Sequence, residues 1–192
     1  MSSLQLKVQL EDINPVIWRT FQIDQTETFF DLHEILQIVM GWENAHLFEF
    51  QIKERKIGLL PDEDEMWDTD ASLEDSESIL MLDMNLKEGD SFHYIYDFGD
   101  NWKHLLTVEK VLADDETNCP ICLGGARNCP PEDCGGIWGY ADMLETLRYT
   151  KNSEADEHTT GLSKDFDPNY FNIDAVNRVL KHLLFDESIA IN

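Results

Sequence analysis

Phe92-His93-Tyr94-Ile95-Tyr96-Asp97-Phe98-Gly99-Asp100-Asn101-Trp102-Lys103-His104-Leu105-Leu106-Thr107-Val108 is the stretch whose reading decides the fold. Gly99, Asp100 and Asn101 have turn chemistry, and the runs on either side are aromatic and branched, as strands prefer. A three-residue connection places Phe92, Tyr94, Tyr96 and Phe98 on one face, together with Trp102, His104, Leu106 and Val108. A slip of one residue would exchange faces and set aromatic positions against Lys103 and Asn101. The amphipathic pattern selects the first register. It predicts an antiparallel hairpin, 92–98 with 102–112, that has one apolar face.

Outward from this hairpin the same logic continues. Leu4, Leu6, Val8 and Leu10 alternate with polar residues, as in a strand with one buried face. Asp12-Ile13-Asn14-Pro15 is a turn, and 16–23 is the returning strand. Thr28 and Asp31 form a capping-box pair ahead of Phe29, Leu32, Ile35, Leu36 and Val39, which recur at helical spacing until Gly41 ends them. Residues 46–52 alternate again as a third strand. The acidic stretch 61–78 has no periodicity and reads as a solvated loop anchored by Met66 and Trp67. Two helices are expected near 140–149 and 172–184, the second with an apolar stripe of Val176, Val179, Leu180, Leu183 and Leu184. The expected class is α+β, a β-grasp-like curled sheet over one helix, with a Cys/Gly/Pro-rich loop and a helical C-terminal region. The expected division is a sheet domain, 1–114, and a Cys-rich and helical region, 115–192, packed on it as one structural unit.

Composition limits the function. The chain has 192 residues, with 39 acidic against 14 basic, a formal net charge of −25. Non-specific nucleic-acid binding rests on Lys and Arg displacing counterions, so this chain is expected to repel DNA and RNA. It is also expected to avoid anionic membranes and to favour cations, basic proteins and high solubility. The N-terminus lacks the basic and apolar regions of a signal peptide, and no apolar run approaches the ~20 residues of a membrane span. A cytoplasmic location follows as the expectation, with thiols reduced.

Two constellations carry possible chemistry. Cys119-Pro120-Ile121-Cys122-Leu123-Gly124 and Cys129-Pro130-Pro131-Glu132-Asp133-Cys134-Gly135-Gly136 can each form a thiolate knuckle, and Cys119, Cys122, Cys129 and Cys134 together would complete a four-sulfur zinc site. Only six residues separate the pairs, against roughly 12 or more in zinc ribbons. Zinc on three cysteines with His104 or His158, free reduced thiols, and redox or disulfide use are the alternatives. The second constellation is the hairpin turn. Asp97, Asp100 and His104, with Glu132 and Asp133, offer carboxylates and imidazole as ligands to a divalent ion such as Mg, Mn or Zn for hydrolysis, or to acid–base catalysis. In the chosen register His104 faces the apolar side, where a satisfied core histidine is the simpler reading. The Asp-Phe-Gly triplet matches a kinase metal motif, but the glycine-rich and catalytic loops of a kinase are missing. His33, beside Asp31 and Glu34, is expected at the surface, and Trp42 in the core.

Four segments together resemble the plasmid pRiA4b ORF-3-like family, also found among insertion-element passenger proteins. They are residues 15–19, 40–47, 96–104, and 129–136 with Trp138-Gly139-Tyr140. They come in the family's order. The resemblance implies a cysteine at the positions of Cys122, Cys129 and Cys134, with Cys119 an addition. It also implies an association with mobile DNA, and it assigns no reaction. Three readings follow. The leading one is a soluble, non-enzymatic interaction module with an acidic face for a basic partner. The others are a metal-dependent hydrolase using Asp97, Asp100, His104 and Glu132, and an acidic mimic of nucleic acid.

Overall fold

A computed structural model describes residues 2–60, 72–113, 120–148 and 166–183, and the backbone alone of 149–150 and 184–187. Met66, Trp67, Cys119 and His158 lie outside the described residues. Chain order gives β1 (Ser3–Leu10), β2 (Trp18–Asp24), α1 (Phe29–Met40), β3 (Phe48–Ile52), β4 (Arg55–Gly58), β5 (Leu73–Asp75), β6 (Ser91–Tyr96), β7 (Trp102–Leu112), β8 (Ile121–Ala126), α2 (Gly136–Thr150) and α3 (Ile173–Glu187). The strands form one eight-stranded sheet in the order β5-β4-β3-β6-β7-β1-β2-β8. The α+β class holds. α2 and α3 stand where the two C-terminal helices were expected, so three helices accompany the eight strands.

Local chemistry explains the first helix. Thr28 Oγ1 accepts from the Asp31 amide at 3.1 Å, and Asp31 returns its carboxylate to the Thr28 amide at 2.7 Å. Gly41 closes the helix at φ 97°, in the left-handed region that glycine enters freely. The buried face of α1 packs on the sheet, Phe29 meeting Phe50 edge-on at 5.1 Å and Phe92 at 6.3 Å.

The central hairpin keeps its expected faces but pairs differently. Tyr96 lies opposite Trp102, Tyr94 opposite His104 and Phe92 opposite Leu106, and all six are buried. The connection is therefore 97–101, longer by two residues than the spacing implied. An even shift preserves the faces. Phe98 leaves the core face and is exposed.

β5 and β8 come from stretches read as loops, and β4 from one left unassigned. β4 extends β3, β5 pairs with it in parallel, and β8 pairs with β2. Residues 121–126 are thus extended strand, while Cys119, which the expected knuckle requires, lies outside the described residues. The region after residue 114 contributes an edge strand to the sheet begun at residue 3, and Leu180 of α3 joins the core. Val179, expected in the apolar stripe, is exposed. α2 begins at Gly136, earlier than the expected 140. Among the described residues, no helix is long and apolar enough to cross a membrane.

Candidate functional site

The site forms where three connections meet, one after α1, one in the β6–β7 turn and one before α2. The connection after α1 is held by a closed polar ring. Gln37 Nε2 donates to the Tyr94 hydroxyl (3.0 Å), which donates to His33 Nδ1 (2.7 Å). His33 Nε2 donates to Asn44 Oδ1 (2.7 Å), and the Asn44 amide donates back to Gln37 Oε1 (2.9 Å). His33 is therefore buried, contrary to the surface position expected for it, and its ring stacks on Phe48 at 3.6 Å. Desolvation lowers its pKa to about 4. The ring fixes Asn44, and with it the position of His46 two residues on.

The segment before α2 is tied to the same place. Trp42 Nε1 donates to the Pro130 carbonyl at 3.0 Å. Glu132 Oε1 accepts from the Glu43 amide and from the Tyr96 hydroxyl, each at 3.0 Å. The Asp97 amide donates to the Leu47 carbonyl at 3.0 Å, and Asp97 Oδ1 accepts from the amides of Gly99 (2.9 Å) and Asp100 (3.3 Å). These bonds leave Asp97 Oδ2, Glu132 Oε2 and Asp133 Oδ1 around His46 Nε2, at 3.8, 3.7 and 3.3 Å.

Of the residues singled out from sequence, Asp97, Glu132 and Asp133 come together. The imidazole among them is that of His46. His104 lies elsewhere, fully buried, with Nδ1 donating to the Tyr94 carbonyl at 3.2 Å and its ring edge-on to Trp42 at 5.0 Å. Desolvation lowers the His104 pKa to about 4. Asp100 turns to the Gly135 amide at 3.0 Å. His46 was missed because it stands in no acidic run. The available signal was its place in the 40–47 segment, directly ahead of the strand that pairs with β6.

The described cysteines have different surroundings. Cys122 sits on β8 with its thiol toward the Thr20 and Gly124 carbonyls. Cys129 and Cys134 are buried. Burial pushes the Cys129 thiol well above its ordinary range and Cys134 up to about 12, where the Asp100 carboxylate adds to the effect. Among the described residues, the metal-sized grouping of three such donors is His46, Asp97 and Asp133.

A second feature adjoins the first. Gly136 opens α2 directly after the Asp133 loop, and a Cβ on Gly139 would run into the Cys134 carbonyl, so the helix packs closely on that loop. Between α2 and the β1–β2 turn lies a groove of about 650 Å³, lined by Asp12, Ile13, Ile137, Trp138 and Leu144 among others. Trp138 is 83% exposed.

Residues 2–175 match the family described as plasmid pRiA4b ORF-3-like protein. The chain belongs to the plasmid pRiA4b ORF-3-like family. A relative in Sinorhizobium fredii (strain NBRC 101917 / NGR234), the uncharacterized protein y4hQ, is 34% identical over 185 residues, covering 95% of this chain and 92% of that one. The crystal structure of MM3350, a protein of unknown function from Methanosarcina mazei Go1, matches with a TM-score of 0.76 at 35% identity, covering 91% of this chain and 96% of that chain. Three of the four segments by which the chain resembles the pRiA4b ORF-3-like family supply His46, Asp97 and the Glu132–Asp133 pair. The fourth supplies Arg19, whose buried guanidinium donates to the carbonyls of Val39, Trp18, Ala126 and Arg127 at 2.7–2.9 Å.

Proposed function

We propose that this chain is an interaction module that receives a basic segment of a partner protein in the groove between the β1–β2 turn and α2. The observation that carries the reading is Trp138, a large aromatic side chain left 83% exposed beside an apolar groove and the Asp12 carboxylate. Tryptophan concentrates binding energy at protein interfaces and offers its face to a guanidinium or ammonium group. Asp12 lines the groove with Trp138 and also the adjoining hollow, where Glu11 lies with its carboxylate 3.5 Å from His93 Nε2. Arg127 and Arg148 line the hollow beyond Leu144. The basic end of a bound segment therefore belongs at Trp138. The net charge of −25 steers such a segment in and repels phosphate backbones. A role tied to mobile DNA would run through a protein partner. A four-cysteine zinc site including Cys119 is a separate proposal, which the metal experiment below also addresses.

The test is a titration followed by tryptophan fluorescence, with short peptides alternating Leu and Arg or Leu and Glu. The Leu/Arg peptide should bind, and Trp138→Ala should weaken it about tenfold, equivalent to ~1.4 kcal/mol. Equal binding by wild type and the variant would leave only diffuse attraction to a polyanion and end the reading.

A further inference from the structure

We infer that His46 Nε2, Asp97 Oδ2 and Asp133 Oδ1 form a binding site for one first-row divalent cation, zinc ahead of manganese. The site goes beyond the interaction reading and is independent of it. Its three donor atoms come from three separate connections and all lie within 4.8 Å of one another.

Separations of 3.3 Å to Asp133 and 3.8 Å to Asp97 exceed the ~2.7–3.2 Å of an N–H···O bond. They suit a shared ion. Donors held about 2.1 Å from one ion at tetrahedral angles stand about 3.4 Å apart. The donors are also presented without other partners. His46 Nε2 is buried with no hydrogen bond, although buried polar atoms are almost always satisfied. The Asp97 side chain is only 9% exposed, and its hydrogen bonds fall on Oδ1, leaving Oδ2 toward His46. A second buried atom without a partner, Glu132 Oε2, faces His46 Nε2 at 3.7 Å. It lies outside the group of three and is placed to accept a hydrogen bond from a water on the ion.

The surroundings supply the orientation that metal ligands require. Asp97 is held through Oδ1 by two backbone amides, and Glu132 through Oε1 by the Glu43 amide and the Tyr96 hydroxyl. Asp133, 79% exposed, leaves one side open to solvent, so ions can enter and coordination positions stay free. One imidazole with two carboxylates selects zinc, manganese or iron over calcium, which takes a larger all-oxygen shell. An ion here would join the ends of α1, the β6–β7 turn and the loop that leads into α2.

The experiment is zinc titration of the full chain purified without chelator, followed by the visible spectrum of the cobalt-loaded protein. One equivalent should bind. His46→Gln and Asp97→Asn should each weaken it by about tenfold or more, while Cys122→Ser leaves it unchanged. Asn keeps the amide-accepting oxygen and tolerates the left-handed backbone of Asp97, and far-ultraviolet circular dichroism checks the fold of each variant. Cobalt should give weak d–d bands without thiolate-to-metal charge transfer. Full affinity in His46→Gln would overturn the site. Loss confined to Cys122→Ser, with a thiolate charge-transfer band, would overturn it too and place the metal on the cysteines.

Discussion

His33 and His104 are held neutral inside the protein, each with a pKa near 4 against an ordinary value of 6.5. Between these values the unfolded chain binds protons that the folded chain does not, so stability rises with pH across this window and falls as pH drops through it. Each histidine should remove roughly 1.4 kcal/mol on going from about pH 7.5 to about 5.5, above the main carboxylate range. Urea melts at the two pH values should show the loss, and His104→Leu should reduce it by the contribution of one histidine. An identical pH response in the variant would mean that His104 takes up protons in the folded state. The core position of His104 was legible because strict alternation from Trp102 to Val108 fixes its face. The burial of His33 was not, because a polar ring through Gln37, Tyr94 and Asn44 satisfies it, and Tyr94 is 61 residues away in sequence. His46 escaped for the same reason. Its neighbours Asp97, Glu132 and Asp133 reach it only through the fold.

At the scale of elements, the informative case is β8. Its Gly124-Gly125 pair and flanking cysteines read as a loop, since glycine weakens a strand. The strand forms because Gly125 lets the backbone pass Arg19 and Phe171, whose side chains a Cβ would meet at 2.6 and 2.8 Å. It lies at the sheet edge, and Asn177 of α3 covers it. Asn177 Oδ1 accepts from the Cys122 amide at 2.7 Å, and Nδ2 donates to the Cys122 carbonyl at 2.9 Å, as a neighbouring strand would. Asn177→Ala should cost about 1–3 kcal/mol by leaving two partly buried backbone groups unpaired. Limited proteolysis should then cut the C-terminal region faster than in wild type. Unchanged stability and cleavage would show that α3 is held by Leu180 and its apolar neighbours alone. The hairpin turn is the other element that sequence left short. Asp97 takes a positive φ of 54° and caps Gly99 and Asp100 with its own carboxylate, which lengthens the connection. Residue spacing carries no sign of such a cap, whereas the two faces of the hairpin are written in the aromatic alternation.

At the scale of the molecule, one sheet carries the core, and the connections bring His46, Asp97, Glu132 and Asp133 together. The charge of −25 is spread over the chain, but an exposed aromatic beside an apolar groove occurs at a definite place, at the start of α2. Composition alone could point to a basic partner without saying where it would sit. The β1–β2 turn and α2 are more than 120 residues apart in sequence, and no local pattern joins them. Hydrogen–deuterium exchange of the full chain, with and without the Leu/Arg peptide, tests the docking claim most directly. Protection should appear in segments 10–16 and 137–144 and be lost in Trp138→Ala. Protection absent from both segments, or scattered over acidic stretches elsewhere, would contradict it.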